Sequence, residues 1–510
     1  MYPGEPITEF PFFTFLYADL HAHLIAMGIT ILVLTWALSI LLGRAHWGNP
    51  EGKSSLASLV LSIFFGALII GTLRPTNTWD YPTYLAIGVI TLAYTLWRYF
   101  KPGPPERRLG LSPLVQRILV AAAGAGVLAG LSLLLFQPYS QWYGQAYDVV
   151  AVWTGARSPF WSYLTHWGVF LFVITTWIVW ETFDWMKSTP MSSLVKLRPY
   201  QGLIGILSVL WFAIVVYLTL ILKVEIAWLV LLLATWAAIL IFRPGQPDAK
   251  RAVLFLTGTA LMLTLFVELF VLVGDLGRMN TVFKFYFQAW TLLALSAAAG
   301  LGWLLQALPV WKYTWRLSWQ TAAALLVEGA ALFTIAGGLD KIRDRIAPNA
   351  PHTLDGIAFM PYATYSDPSL AVFQLAEDYN VIRWLQNNVQ GSPVIVEGNT
   401  PEYRWGSRFT IYTGLPGVVG WNWHERQQRA VLPETVVTDR IADIATFYTT
   451  IDQQTALNFL RKYNVQYIIV GQLERAYYPG PGLDKFSQWN GSLWQQVYQF
   501  GTTTVYKVNP

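Results

Sequence analysis

The stretch Tyr17-Ala18-Asp19-Leu20-His21-Ala22-His23 brings a carboxylate and two imidazoles to the mouth of a long apolar run. In a helix, Asp19 and His23 share a face at i, i+4 while His21 points away; in an extended chain all three alternate residues share a side. Either geometry suits a divalent ion such as Mg2+ or Mn2+ on Asp19 and His23, or a general base with an orienting partner. The plainer alternative is an aspartate at a helix N-terminus with interfacial histidines beside it. Ionisable groups crowded at a membrane boundary favour chemistry.

A second cluster, Arg74-Pro75-Thr76-Asn77-Thr78-Trp79-Asp80-Tyr81-Pro82, reads as a tight hairpin between two apolar runs. Its prolines keep the turn non-helical, with Pro82 suited to a first helical turn. Asp80 either assists that helix start or, with Asn77 and Arg74, faces a phosphate or sugar. A third, Gly274-Asp275-Leu276-Gly277-Arg278-Met279-Asn280-Thr281-Val282-Phe283-Lys284, places Arg278, Asn280 and Lys284 where an anionic ligand gives basic residues a reason to be. A snorkelling lysine with an Asp275–Arg278 pair is the structural alternative. Glu268 and Glu328 fall within apolar runs, where an ionisable residue marks function by default. The aromatic and amide run Gln137 to Gly144 fits an interfacial belt better than a sugar site.

Near the C-terminus, Gly420-Trp421-Asn422-Trp423-His424-Glu425-Arg426-Gln427-Gln428-Arg429 gathers two tryptophans and four ionisable groups in one loop. Trp421, His424, Glu425, Arg426 and Arg429 could line an acceptor site; a docking turn is the equal alternative.

The elements that position these clusters follow from composition. The 510 residues are 54% hydrophobic and only 12% charged, about half the roughly 25% charge of a soluble domain. Apolar stretches of that extent need a bilayer around them. The formal charge of +5 fits loops facing anionic lipid, and no basic run with interleaved aromatics points to nucleic acid. The absence of cysteine excludes disulfides, thiolate metal sites and cysteine nucleophiles. Met1 to Pro6 lacks the basic start of a signal peptide.

A span needs about 20 apolar residues, and about ten such stretches occur, near 24–42, 56–73, 82–100, 114–136, 160–180, 202–222, 227–242, 252–273, 285–305 and 318–337. With the N-terminus outside, Lys and Arg in the loops divide 15 inside to 5 outside, the asymmetry of an inserted protein. This topology puts all the polar clusters on the outside face.

After about residue 345 the pattern changes to that of an α/β domain. Glu377 to Val389 reads as an amphipathic helix, Pro393 to Val396 as a buried strand, and Gln454 to Tyr463 then Val465 to Val470 as helix and strand. The predicted organisation is a transmembrane domain over 1–344 and a soluble extracytoplasmic α/β domain over 345–510.

Three ordered motifs carry a family resemblance: Glu9-Phe10-Pro11-Phe12-Phe13-Thr14-Phe15 leading into Asp19-Leu20-His21, Asn77-Thr78-Trp79-Asp80-Tyr81-Pro82, and Met279-Asn280-Thr281-Val282-Phe283-Lys284-Phe285-Tyr286. Together they resemble the YYY-type family of uncharacterised polytopic membrane proteins of Chloroflexi and archaea. That family is in turn similar in layout to the GT-C class of membrane glycosyltransferases. The Tyr-Tyr-Tyr-x-Gly run that names the family does not occur in this chain, which implies upstream helices or a partner subunit carrying it.

The resemblance implies an inverting glycosyltransferase that takes its sugar from a lipid-linked donor, a polyprenyl phosphate or diphosphate, at the outer face of the lipid bilayer. Asp19 would then be the base or metal carboxylate with His21 and His23 as helpers. Asp80 would hold the sugar or a metal, Arg74, Arg278 and Lys284 the leaving phosphate, and the Trp421–Arg429 loop an unknown acceptor. A transporter or lipid flippase, using Glu268 and Glu328, and a non-catalytic membrane scaffold are the competing classes.

Overall fold

The computed structural model describes residues 11–17, 21–43, 56–101, 111–144, 149–275, 277–367 and 372–509. Its chain divides into two compact units, one of residues 1–141 and 147–338, the other of residues 142–146 and 339–510.

The first unit is a helical bundle. Its helices are α1 (Pro11–Tyr17), α2 (Ala22–Gly43), α3 (Leu56–Thr76), α4 (Asp80–Tyr99), α5 (Pro113–Leu134), α6 (Gln137–Trp142), α7 (Phe160–Ser188), α8 (Gln201–Val216), α9 (Ala227–Ile241), α10 (Asp248–Leu269), α11 (Met279–Ala307) and α12 (Tyr313–Leu332). Prolines mark several starts, because a missing N–H costs nothing in a first turn. Pro113 opens α5 behind Ser112, whose Oγ accepts from Val115 N, and Pro159 and Pro247 precede α7 and α10.

Each of the ten apolar stretches contains a helix, the one over 252–273 leaving it after Leu269 for a short strand, but among the described residues eight helices are long and apolar enough to cross a membrane, fewer than the ten spans expected. Ala227–Ile241 has 15 residues, which at 1.5 Å each rise only about 22 Å. Asp80–Tyr99 has the length, but charged residues at its ends and its tyrosines dilute it.

Small residues let the bundle close. A Cβ on Gly66 would run into the Trp36 ring and one on Gly88 into Ile70, with the same ring 3.2 Å away, and Trp36 Nε1 donates to Ser62 O at 2.8 Å, so α2, α3 and α4 pack around one indole. By contrast α8 buries no side chain, and α12 only Trp319. The strands β1 (Val150–Val152) and β2 (Phe270–Leu272) pair antiparallel at the bundle end where α4 and α11 begin.

The second unit is α/β. It contains α13 (Gly338–Arg345), strands β3 (Thr364–Ser366) and β4 (Val372–Gln374), α14 (Leu375–Asn388), β5 (Val394–Val396), α15 (Arg408–Thr413), α16 (Asn422–Gln428), α17 (Thr435–Thr449), α18 (Gln453–Lys462), β6 (Val465–Val470), α19 (Gln472–Tyr477), β7 (Trp494–Phe500) and β8 (Thr503–Val508). The main sheet has the order β5-β6-β8-β7, with β5 and β6 parallel and the other pairings antiparallel. Period-two alternation divides its strands between two cores. Val396, Ile468 and Val470 pack with α17 and α18, while Ile395, Tyr467 and Ile469 pack with α14. The elements expected over Glu377–Val389, Pro393–Val396, Gln454–Tyr463 and Val465–Val470 are α14, β5, α18 and β6.

Candidate functional site

Three polar motifs, far apart in sequence, meet at the start of α11. His23, in the first turn of α2, lies edge-on to Phe283 and Phe287 of α11, with ring centroids 4.7 and 5.1 Å away. His21 stands 5.4 Å from the His23 ring. From the hairpin between α3 and α4, the Trp79 carbonyl accepts from Gln288 Nε2 at 3.0 Å. Lys284 and Gln288 are one turn apart on α11 and share a face. Among the described residues, Asp80 and Asp275 are the carboxylates whose charge reaches Lys284.

Asp80 is buried in the first turn of α4, where the helix dipole favours its negative charge. Asn77, also buried, donates from Nδ2 to Asp80 Oδ2 at 3.0 Å. The Lys284 ammonium is half-buried and has no hydrogen-bond acceptor among the described residues. Gln288 Oε1 is buried and unpaired among the described residues, as is Trp79 Nε1, whose ring packs against Phe285. A buried polar group without a partner costs about 1–3 kcal/mol, a cost the fold bears at Gln288 Oε1 and at Trp79 Nε1.

The other residues singled out from sequence take different places. Asp19 lies outside the described residues. Arg74, in the last turn of α3, stacks its guanidinium 5.5 Å from the Tyr81 ring centre. Asp275 is a cap: its Oδ1 accepts from Asn280 N and Nδ2, and its Oδ2 from Thr281 N and Oγ1, which fixes the α11 start and commits Asn280. Arg278 turns into the protein instead of toward a ligand. Its Nη1 reaches Glu268 Oε1 and Val267 O, both at 2.8 Å, and its Nη2 reaches Ser158 Oγ at 3.1 Å. Ser158 N and Oγ donate to the same Glu268 carboxylate. The pair is Glu268–Arg278 and not Asp275–Arg278, and it satisfies the acidic residue that best supported a transporter. Glu328 lies exposed on α12.

For a metal, three or more ligands must converge. Among the described residues no three His, Asp or Glu side chains gather to hold one, and His23 Nε2 is engaged by Thr14 Oγ1 at 3.2 Å.

In the second unit, the residues from Asn422 to Gln428 are helix α16 and not a loop. Its charges pair locally: Arg426 with Glu402 at 2.6 Å and Glu434 at 3.2 Å, and Arg429 with Glu425. The rings of Tyr403 and His424 each lie 6.3 Å from that of Trp421. Tyr403 holds a left-handed backbone, φ 59°, and is exposed.

Two buried networks were not anticipated from sequence. Where β5 and β6 end, Arg408 sits among Asp378, Glu397 and Glu474, at 3.0, 3.4 and 3.0 Å. This crevice beyond parallel strands is the usual ligand position of open α/β sheets, and here the chain's own side chains fill it. Burial raises the Asp378 and Glu397 pKa values against the pull of Arg408, whereas Glu474, with the bidentate guanidinium and two backbone N–H donors, stays below its ordinary value. At the end of the bundle opposite the polar motifs, Glu181 is held by Lys250 and Arg243, and Asp248 by Tyr94, Tyr99 and Arg251. The available signal was Glu181, an acid inside the apolar run of α7.

No curated protein matches the chain. A family model does match, over residues 4–293, a range that includes all three converging motifs. The chain therefore belongs to the family described as "Uncharacterized membrane protein (DUF2298)".

Proposed function

We propose that this membrane protein is a glycosyltransferase that moves a sugar from a lipid-linked phosphate or diphosphate donor to an acceptor hydroxyl on the extracytoplasmic side. The observation that carries the reading is the convergence of His21 and His23, Asn77 and Asp80, and Lys284 and Gln288 on one helix start, where the Lys284 ammonium, without a hydrogen-bond acceptor among the described residues, feels the charge of the buried Asp80. Layout adds support by analogy only: many spans followed by an α/β unit resemble the GT-C class.

In this reading Asp80 is the general base, oriented by Asn77. It takes the proton as the acceptor oxygen attacks the anomeric carbon. The bond from that carbon to the phosphate oxygen breaks, and its electron pair leaves on the phosphate. Lys284 neutralises the charge that develops there, as preorganised cations do. Gln288 Oε1, unpaired among the described residues, accepts from a sugar hydroxyl. His21 and His23 line the approach. Asp19, two residues before His21, is a second carboxylate for the base role.

The test is transfer of labelled sugar from polyprenyl-phosphate and polyprenyl-diphosphate donors by the full chain in nanodiscs, with Asp80→Asn and Asp19→Asn as variants. Turnover lost in Asp80→Asn supports the assignment, and turnover lost only in Asp19→Asn moves the base to that residue. No turnover with any donor sinks the transferase reading.

A further inference from the structure

A second polar pocket lies on the side of α11 turned away from Lys284. Tyr286 stands two residues after Lys284, and side chains two apart on a helix do not share a face. Tyr286 turns toward α7, its ring 5.5 Å from that of His166 and 5.1 Å from that of Trp167. Between the two helices is a pocket of about 240 Å³, lined by Ser158, by five side chains from the first two turns of α7 and by Tyr286. Every lining side chain carries a hydrogen-bonding group, and none is aliphatic or belongs to Asp, Glu, Lys or Arg.

Tyr163 and Tyr286 are 2% and 5% exposed, so the back of the pocket is inside the bundle. Tyr163 Oη lies 3.0 Å from Thr264 Oγ1 of α10, and Ser158 Oγ is held between Glu268 and Arg278. Thr165 donates to Trp161 O at 2.9 Å, which leaves its oxygen able to accept. Ser162 makes no side-chain hydrogen bond among the described residues, so its hydroxyl has both roles open. An interfacial belt turns its rings outward; of the rings lining this pocket only that of Trp161 does so, at 71% exposure.

The lining selects a class of ligand. An apolar tail would leave hydroxyls unpaired, at about 1–3 kcal/mol for each buried group. An anion would find no Lys or Arg in the lining, and the positive end of the α7 dipole is already met by Glu225, which accepts from Phe160 N at 2.8 Å. Hydroxyls set among aromatic rings suit a molecule with hydroxyls on its rim and C–H groups on its faces. The volume is below the roughly 300–1,000 Å³ of pockets for drug-sized ligands, which limits the occupant to one ring. With 29 residues α7 is about 43 Å long, against about 30 Å of hydrocarbon, so its ends reach the headgroup layers.

We infer that this pocket binds one ring of an uncharged sugar, free or as the headgroup of a glycolipid, with Ser162, Thr165 and Tyr286 exchanging hydrogen bonds with its hydroxyls. The inference stands apart from the transferase reading, whose Lys284 is on another face of α11.

Because the chain has no cysteine, Ser162→Cys puts a single thiol in the pocket. The experiment measures how fast a methanethiosulfonate reagent modifies that thiol in the full chain in nanodiscs. Methyl glucoside, methyl mannoside and N-acetylglucosamine are the free probes, a glucosyl-diacylglycerol in the nanodisc is the lipid probe, and inorganic phosphate is the anionic control. A sugar probe at about four times its Kd is expected to slow modification about fivefold, and phosphate to leave it unchanged. Adding Tyr286→Phe should cut that protection to about twofold at the same concentration, the loss of one hydrogen bond. Protection by a glycoside in plain phospholipid identifies a free sugar, and protection by the glycolipid alone identifies a headgroup. Thr165→Cys repeats the measurement with the Ser162 hydroxyl intact, and an unchanged melting temperature checks each fold. No protection by any sugar probe at either thiol, equal protection by phosphate, or protection indifferent to Tyr286→Phe overturns the inference.

Discussion

Arg278 Nη1 lies 2.8 Å from Glu268 Oε1, and both side chains are almost fully buried, at 3% and 0% exposure. The arginine that motif reading assigned to a phosphate is thereby the internal counter-ion of the glutamate that motif reading left without a partner. Removing one member of such a pair strands a buried charge, which costs about 3–5 kcal/mol. Arg278→Met is therefore expected to destabilise the bundle by that order, and Glu268→Gln combined with Arg278→Met to recover much of it. Denaturant unfolding of Arg278→Met, Glu268→Gln and the double variant in micelles measures this; additive losses in the double variant contradict the pairing.

Asp80→Asn keeps the shape and the Asn77 contact but removes the basic lone pair. A lost general base lowers turnover by about 10²–10⁴-fold, with donor binding retained. Single-turnover kinetics separate the two effects, and weakened donor binding at unchanged turnover would make Asp80 a binding residue instead.

Lys284→Met removes the ammonium beside Asp80 without shortening the side chain. If the charge acts on the leaving phosphate, turnover falls by about 10²–10³-fold, and Lys284→Arg restores part of it. The loss should be smaller for donors whose leaving group is intrinsically better, a diphosphate compared with a monophosphate. Equal loss with both donors points to a role in packing.

The Arg408 cluster gives the second unit a pH dependence. Burial raises the Asp378 pKa in the fold above its ordinary 3.8, so the folded state holds its proton more tightly than the unfolded chain does. The stability contributed by the neutral form is fully present below pH 3.8 and is lost as pH rises through the folded pKa. Asp378→Asn, which keeps an acceptor for Trp405 Nε1, should therefore gain stability relative to wild type as pH increases above 3.8. Proteolytic susceptibility of the full chain between mildly acid and neutral pH reads this out, and a difference that shrinks with pH refutes it.

Apolar length and composition alone determined that the chain is a multi-pass membrane protein, because about 20 consecutive apolar residues carry their own instruction to cross a bilayer. The same local logic placed α14, β5, α18 and β6, whose periodicities are written within a few residues of themselves. It also drew attention to His23, Asn77, Asp80 and Lys284. What periodicity does not encode is which helix end lies against which. Arg278 and Lys284 are six residues apart with the same formal charge, yet one is buried on Glu268 and the other has no acceptor among the described residues. Only the packing of α10 against α11 decided that, since a buried charge must find its counter-ion wherever the fold brings one. The tertiary structure likewise joined Gln288 to the Trp79 hairpin and Arg408 to three carboxylates remote in sequence, and opened the polar pocket between α7 and α11, which no stretch of the chain contains by itself.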